Sequence, residues 1–171
     1  MTQHTPTAAA NAEEHGDRSD GPDRPTPDAS TRASARGHLA FGWCCLLVFM
    51  GLGAVLEGLH SLKLGFYLDS SNAMRRLLWT LAHAHGTLFG LVHIAFAVSL
   101  PQLSAMTRRS RGLASRCLYG GTIVMPVGFF LGGVFVFEGD PGLPVLLAPL
   151  GAALLFIAVG LIARATLAGD G

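Results

Sequence analysis

The feature that most constrains this chain is the apolar stretch Leu77 to Leu100, which carries three histidines. At about 1.5 Å per residue, a helix of this length is long enough to cross the roughly 30 Å hydrocarbon core of a bilayer. His83, His85 and His93 would then lie among lipid tails, where an ionisable side chain is costly and is by default a candidate functional site. The stretch therefore predicts both a transmembrane helix and a site within it.

The uneven distribution of charge divides the chain into a polar tail and an apolar remainder. Of all residues, 13% are charged and 50% are hydrophobic, whereas about a quarter of a typical soluble domain is charged. Residues 1–37 are polar, rich in proline and without apolar periodicity, so we predict a disordered tail there. Residues 38–171 are predicted to form one all-α integral membrane domain. The net charge of +1 indicates no nucleic-acid partner.

Three further apolar stretches complete a predicted bundle of four transmembrane helices in contact with the lipid bilayer. The four predicted spans cover residues 39–60, 77–100, 117–137 and 143–167. A tight turn is predicted between the last two spans, and kinks are predicted at Pro126 and Pro149. Small residues that allow neighbouring helices to approach closely are Gly51, Gly53, Gly58, Gly86, Gly90, Gly128 and Gly132.

The basic residues predict the orientation of the bundle. Four spans place both chain termini and the middle loop on one side of the membrane. That side carries nine basic residues, Arg18, Arg24, Arg32, Arg36, Arg108, Arg109, Arg111, Arg116 and Arg164. The other side carries three, Lys63, Arg75 and Arg76. Because basic residues favour the cytoplasmic side, we predict a multi-pass protein of a bacterial-type inner membrane with both termini cytoplasmic.

This orientation predicts a cluster of polar side chains at one level near the outer face. Its members are Glu57, His60, His83, His85 and Glu138. His93 would lie about 12 Å deeper than His85 on the same helix, and no comparable polar set is predicted in the cytoplasmic halves. At about 100° per residue, His83 and His85 point about 160° apart, so they are expected to face different neighbours.

Histidines within a membrane helix suit metal or haem binding, because imidazole is the commonest metal ligand and a usual axial ligand of haem. A Cu, Fe or Zn site formed by His60, His83, His85 and Glu57 is the alternative prediction. The first predicted cofactor is haem b, held by histidines and by two arginines near the outer face that suit its propionates. The residues predicted to bind it are His60, His83, His85, His93, Arg75 and Arg76.

The string Trp79-x3-His83-x-His85-x3-Phe89-Gly90 resembles the start of the NnrS family. These are membrane haem- and copper-containing proteins linked to nitric oxide metabolism, and the His-x-His helix is also similar to haem-ligating helices of the haem–copper oxidase superfamily. NnrS proteins have many more spans and typically an acidic residue where this chain has Gly86. The resemblance, which covers residues 39–100, implies that His83 and His85 are haem or metal ligands.

Two functional hypotheses follow. The first is a small haem- or metal-binding membrane protein that acts in electron transfer or in nitric-oxide or oxygen chemistry. The second is a non-redox membrane module, either a proton-coupled carrier or an assembly subunit, whose histidines hydrogen-bond between helices. The second hypothesis predicts a homo-oligomer or a larger membrane complex, assembled through the Gly86/Gly90 and Gly128/Gly132 faces. Neither hypothesis identifies catalytic residues, and whether the protein is an enzyme stays open.

Overall fold

The computed structural model of the protein describes residues 28–168, and these form helices joined by short turns. The helices are α1 (Ala29–Ser61), α2 (Gly65–Leu68), α3 (Ala73–Ser99), α4 (Arg108–Val134) and α5 (Leu147–Ala168). Three 3₁₀ turns lie at Ser70–Asn72, Leu100–Gln102 and Leu143–Leu146. The described part of the chain contains no β-strand beyond a single bridge at the turn after α4.

Four helices, α1, α3, α4 and α5, are long and apolar enough to cross a membrane. The protein is therefore an all-α integral membrane protein with a bundle of four transmembrane helices, as the sequence predicts. Many of the large apolar side chains of α1 and α5 are exposed, among them Trp43, Leu47 and Phe156. These side chains suit contact with lipid tails rather than with water.

Helix α3 packs closely against both α1 and α4, and α5 packs against α4. Helix α1 also contacts α4 directly through side chains. Asp28, which precedes α1, accepts a hydrogen bond from Arg108 at the start of α4 over 3.2 Å. We call this the Asp28 end of the bundle. Arg164 near the end of α5 lines one groove with Thr107, so α5 also ends there. The opposite, Glu138 end contains the turn between α4 and α5.

Three of the four long helices, α1, α3 and α4, begin earlier than the predicted spans, whereas α5 begins at Leu147, four residues after the predicted start. Helix α1 starts at Ala29 rather than at residue 39, so the prediction of disorder is wrong for residues 29–37; residues 1–27 lie outside the described residues. The Asp28 side chain caps α1 by accepting from the Thr31 amide over 2.8 Å. Hydrogen bonds from Thr31 lower the pKa of Asp28 well below its usual range. Hydropathy marks only the lipid-crossing part of a helix, whereas capping marks its start.

Glycines set the closest helix contacts. A Cβ atom on Gly42 of α1 would lie 2.7 Å from the carbonyl oxygen of Gly90 on α3. The Gly90 face is therefore packed inside the chain, and so is the Gly128/Gly132 face, which contacts the segment leading into α5. The sequence predicts that these faces join two copies of the protein, whereas in the structure they make contacts within one chain. A Cβ atom placed on Gly51 would have no atom within 4 Å, so Gly51 does not mediate a described contact.

The turn between α4 and α5 is as tight as predicted. Phe137 and Asp140 exchange two backbone hydrogen bonds, of 3.1 and 2.9 Å. Glu138 and Gly139 between them have positive φ angles of 48° and 88°, which are typical of a two-residue hairpin turn. Pro149 lies in the first turn of α5, where its missing N–H costs nothing, so it is not a mid-helix kink.

Candidate functional site

Two of the most buried polar side chains of the described bundle are histidines in direct contact. His38 on α1 is 1% exposed and His93 on α3 is 0% exposed. Their Nδ1 atoms lie 2.7 Å apart, which is the distance of a short hydrogen bond. Because each imidazole nitrogen is either a donor or an acceptor, one ring must donate from Nδ1 and the other must accept.

Two hydroxyl groups on α4 extend this contact into a chain of hydrogen bonds. The Nε2 atom of His38 lies 2.6 Å from the Ser115 hydroxyl. The Nε2 atom of His93 lies 3.2 Å from the Thr122 hydroxyl, and Thr122 is itself 1% exposed. Every ring nitrogen of the pair therefore has a partner. We call these four side chains the polar chain; it connects α1, α3 and α4 inside the bundle.

Aromatic rings enclose the histidine pair. The Tyr119 ring of α4 stacks on His38 with ring centroids 4.5 Å apart. Phe96 contacts His38 edge-on at 4.8 Å, and Phe41 contacts His93 at 4.7 Å. This apolar enclosure excludes water from the pair, and polar groups that have lost water depend on the partners they have within the protein.

The close crossing of α1 and α3 positions the pair. Gly42 lies one turn after His38, and Gly90 lies nearly one turn before His93, so the backbone approach of the two glycines brings the two rings into register. A residue with a Cβ at either glycine would separate the helices. The same glycine face that the sequence marks for close packing thus determines the distance between the histidines.

No carboxylate of residues 28–168 hydrogen-bonds to the pair. The ring of Tyr119 on α4 contacts both histidines, and the Cys45 side chain of α1 lies beside Gly90. A proton added to the pair would therefore bring a positive charge that no described neighbour neutralises. Such a charge in an apolar interior is costly, so protonation would perturb the packing of the three helices.

The two histidines of the His-x-His motif face different helices, as the helical angle predicts. His83 Nδ1 lies 2.6 Å from the Phe49 carbonyl oxygen on α1. His85 Nδ1 lies 2.8 Å from the Leu81 carbonyl oxygen of its own helix, and the ring faces Phe129 of α4. A carbonyl can only accept, so both Nδ1 atoms carry the proton in the neutral ring, and both Nε2 atoms keep a lone pair.

The predicted outer cluster is not assembled. His60 and Glu57 are exposed near the end of α1, and the only described side-chain partner of Glu57 is the Ser61 hydroxyl at 3.4 Å. Within residues 28–168, no group of three or more His, Cys, Asp or Glu side chains is placed to hold a metal ion. Among the described residues, His60 and Glu57 are therefore not gathered with His83 and His85 into one metal site, because the two rings of α3 contact separate neighbours. Their assignment as haem or metal ligands stays a prediction.

The two arginines predicted to contact haem propionates instead bind backbone carbonyl groups. Arg75 donates to the Gly133 carbonyl over 3.1 Å and to the Asn72 side chain. Arg76 donates to the carbonyls of Tyr67 and Asp69 over 2.7 and 2.8 Å. Both side chains thereby fix the loops of the Glu138 end.

The contribution of His38 is not predicted from the sequence. His38 lies at the boundary of the predicted tail, so His93 is expected to be alone at its depth and the cytoplasmic half is expected to lack a polar set. Both expectations are wrong, because α1 extends back to Ala29. A signal is present in the sequence: His38 and Gly42 are four residues apart on one helix face, and Ser115 and Thr122 are seven residues apart on another.

Comparison with known proteins adds no further constraint, since no protein-family model, curated protein or solved structure matches this chain. The resemblance of the His83–His85 motif to the NnrS family therefore stays a prediction.

Proposed function

We propose that this protein is a non-redox, proton-coupled membrane module in which the His38–His93 pair is the proton-binding site. The observation that carries the proposal is the 2.7 Å contact between two Nδ1 atoms of fully buried imidazoles, each linked through Nε2 to a hydroxyl group. The pair forms without a carboxylate beside it among the described residues. Each ring nitrogen of such an arrangement is able to donate or accept, so protons can pass along the hydrogen bonds from one hydroxyl to the other.

The polar chain has two neutral forms of the same connectivity. In one form, His38 donates from Nδ1 to His93, His93 donates from Nε2 to Thr122, and Ser115 donates to His38. In the other form, every donor and acceptor is reversed. A hydroxyl donates and accepts equally well, so both forms keep all three hydrogen bonds. Conversion between the two forms moves protons along the polar chain, as in a proton relay.

The geometry also limits the pair to one additional proton. With one extra proton, both Nε2 atoms donate to the hydroxyls, and a single proton stays between the two Nδ1 atoms. A second extra proton would place two N–H groups against each other across 2.7 Å, which would break the contact. The pair is thus a site for one additional proton, and binding of a second would separate α1 from α3.

Proton exchange would occur from the Asp28 end. Ser115 is half-buried and lies in the first ten residues of α4, whereas Thr122 is enclosed. Between these two residues the polar chain spans about 10 Å along the helix axis, at 1.5 Å per residue. A carrier would use this displacement to couple proton movement to a change in the packing of α1 against α3.

Nitrogen-15 NMR of the full chain in lipid nanodiscs tests the proposal. On acidification of the folded protein, we expect the four ring nitrogens of His38 and His93 to change together from two protonated to three. In the His93→Gln variant, His38 alone is expected to change from one to two. Four protonated nitrogens in the folded wild type, or two at every pH at which it stays folded, would refute the one-proton site.

Proton flux provides a second readout of the same prediction. Vesicles containing the wild type are expected to dissipate a proton gradient faster than vesicles containing His93→Gln. The control is His60→Gln, since His60 is exposed and distant from the polar chain. Equal rates for wild type and His93→Gln would contradict coupling to proton movement, even if the NMR result were as expected.

A second candidate function, haem binding, rests on the orientation of His85. Histidine ligands usually donate the non-ligating N–H to a carbonyl, and His85 does so toward Leu81 while leaving Nε2 free. Its ring lies between Phe89 and Phe129, at centroid distances of 5.7 and 5.1 Å. His85 would therefore be able to hold a haem iron through Nε2, whereas the other predicted ligands do not converge on it.

Absorbance of the purified protein tests this candidate. If haem is bound, we expect a Soret band that is lost in His85→Ala and kept in His60→Ala, because His60 lies exposed at the far end of α1. Elemental analysis of the same samples detects Cu, Fe or Zn. Protein without colour and without metal would leave only the proton-coupled function.

A further inference from the structure

We propose that the Asp28 end of the bundle binds the phosphate headgroup of an anionic phospholipid, in the groove between the start of α4 and the end of α5. The residues that line this groove are Ala105, Met106, Thr107, Ser110, Leu161, Arg164, Ala165 and Ala168. The inference concerns a site separate from the polar chain and does not depend on the proposed function.

Charge is concentrated at this end of the molecule. Within residues 28–168, seven arginines lie there: Arg32, Arg36, Arg108, Arg109, Arg111, Arg116 and Arg164. Among the described residues, Asp28 is the only carboxylate beside them, and it forms an ion pair with Arg108. The Glu138 end carries three cationic side chains against four carboxylates. Only the Asp28 end of the described bundle therefore has a large uncompensated positive charge, which attracts anionic lipid headgroups.

The groove has an apolar part and a polar part, which match the acyl chains and the headgroup of a phospholipid. Its floor is apolar and formed by Leu161 and the buried Ala165. Its rim carries the Thr107 and Ser110 hydroxyls, 3.0 Å apart, together with the exposed Arg164. An arginine guanidinium binds a phosphate through two parallel hydrogen bonds. A headgroup phosphate would contact Arg164 and Ser110 while the glycerol and the first acyl carbons lie on the apolar floor.

Arg164 is the side chain best placed to make this contact. No described carboxylate lies within 4.0 Å of it, and it is the single charged residue of α5 within the described residues. By comparison, Arg111 already donates to the hydroxyls of Thr31 and Ser30, over 2.5 and 3.2 Å. Arg164 therefore keeps its full donor capacity for an external anion.

Native mass spectrometry of the full chain tests the site. The protein is reconstituted in vesicles of equal parts phosphatidylcholine and phosphatidylglycerol, released, and the retained lipid is identified. We expect phosphatidylglycerol to be enriched on the wild type and the enrichment to fall about fivefold in Arg164→Gln, which corresponds to about 1 kcal/mol per arginine near an anionic surface. The matched control is Lys63→Gln at the Glu138 end, which is expected to keep the enrichment.

Other outcomes would overturn the proposal. An enrichment that Arg164→Gln leaves unchanged excludes this groove as the site. Equal retention of the two lipids by the wild type, and also by the variant with Glu13→Gln, Glu14→Gln and Asp17→Asn, excludes it as well. Residues 1–27 are the competing occupant, because they carry five acidic and two basic residues. If only the full chain with Glu13→Gln, Glu14→Gln and Asp17→Asn enriched phosphatidylglycerol, the acidic segment of the chain would be what covers the groove.

Discussion

Replacing Gly42 by alanine is expected to destabilise the protein by about 1–3 kcal/mol, the usual cost of overpacking a tight core. The added Cβ would lie 2.7 Å from the Gly90 carbonyl oxygen and 2.8 Å from Cγ1 of Ile94. The carbonyl belongs to the backbone of α3 and cannot rotate away, so α1 and α3 must move apart. That movement also lengthens the contact between the two histidines one turn away.

Gly51→Ala is the matched control on the same helix. A Cβ at Gly51 has no atom within 4 Å, and alanine favours the helix over glycine by up to about 1 kcal/mol. We therefore expect Gly51→Ala to be neutral or stabilising. The measurement is the free energy of unfolding in mixed detergent micelles, with the nitrogen-15 spectrum of the histidines as a second readout. Equal stability of the two variants would show that the close crossing is not a constraint.

Replacing His93 by leucine is expected to cost about 2–3 kcal/mol. The variant loses a hydrogen bond between helices, worth about 0.6 kcal/mol on average inside a membrane protein. It also leaves Nδ1 of His38 without a partner in a buried position, which costs about 1–3 kcal/mol more. The second contribution is the larger one. Most of the expected loss of stability therefore comes from leaving the buried His38 without a partner, and less comes from the lost hydrogen bond.

The double variant His38→Leu/His93→Leu separates these contributions. With both rings gone, Ser115 is half-buried and remains open to water, and a helical threonine such as Thr122 is able to bond the carbonyl four residues earlier. We expect the double variant to be less destabilised than the sum of the two single variants, with a coupling energy of about 1–2 kcal/mol.

His60→Leu is the control for this double-mutant cycle, because His60 is exposed and has no described side-chain hydrogen bond; it is expected to change stability by less than about 0.5 kcal/mol. Strictly additive single effects of His38→Leu and His93→Leu would mean that the two histidines do not interact in the membrane.

Predictions about functional residues that concern a single helix agree with the structure better than predictions that depend on how two helices pack. The divergence of His83 and His85 follows from the geometry of one helix, and the structure confirms it. The gathering of His60 and Glu57 with them requires the relative depth and rotation of two helices, and the described residues do not form such a group. Apolar spans give no precise register, since a helix that slides by one turn exposes an equally apolar face to lipid.

The sequence by itself determined the number of membrane-crossing helices, the all-α fold and the small-residue face of α3. These follow from hydropathy and from local periodicity, which depend on residues close together in the chain. Only the tertiary structure decided that His38 contacts His93, since 55 residues separate them and nothing local specifies the pairing. The physical reason is the crossing of α1 and α3 at Gly42 and Gly90, which fixes the register of two helices and thereby brings two distant histidines into one buried site.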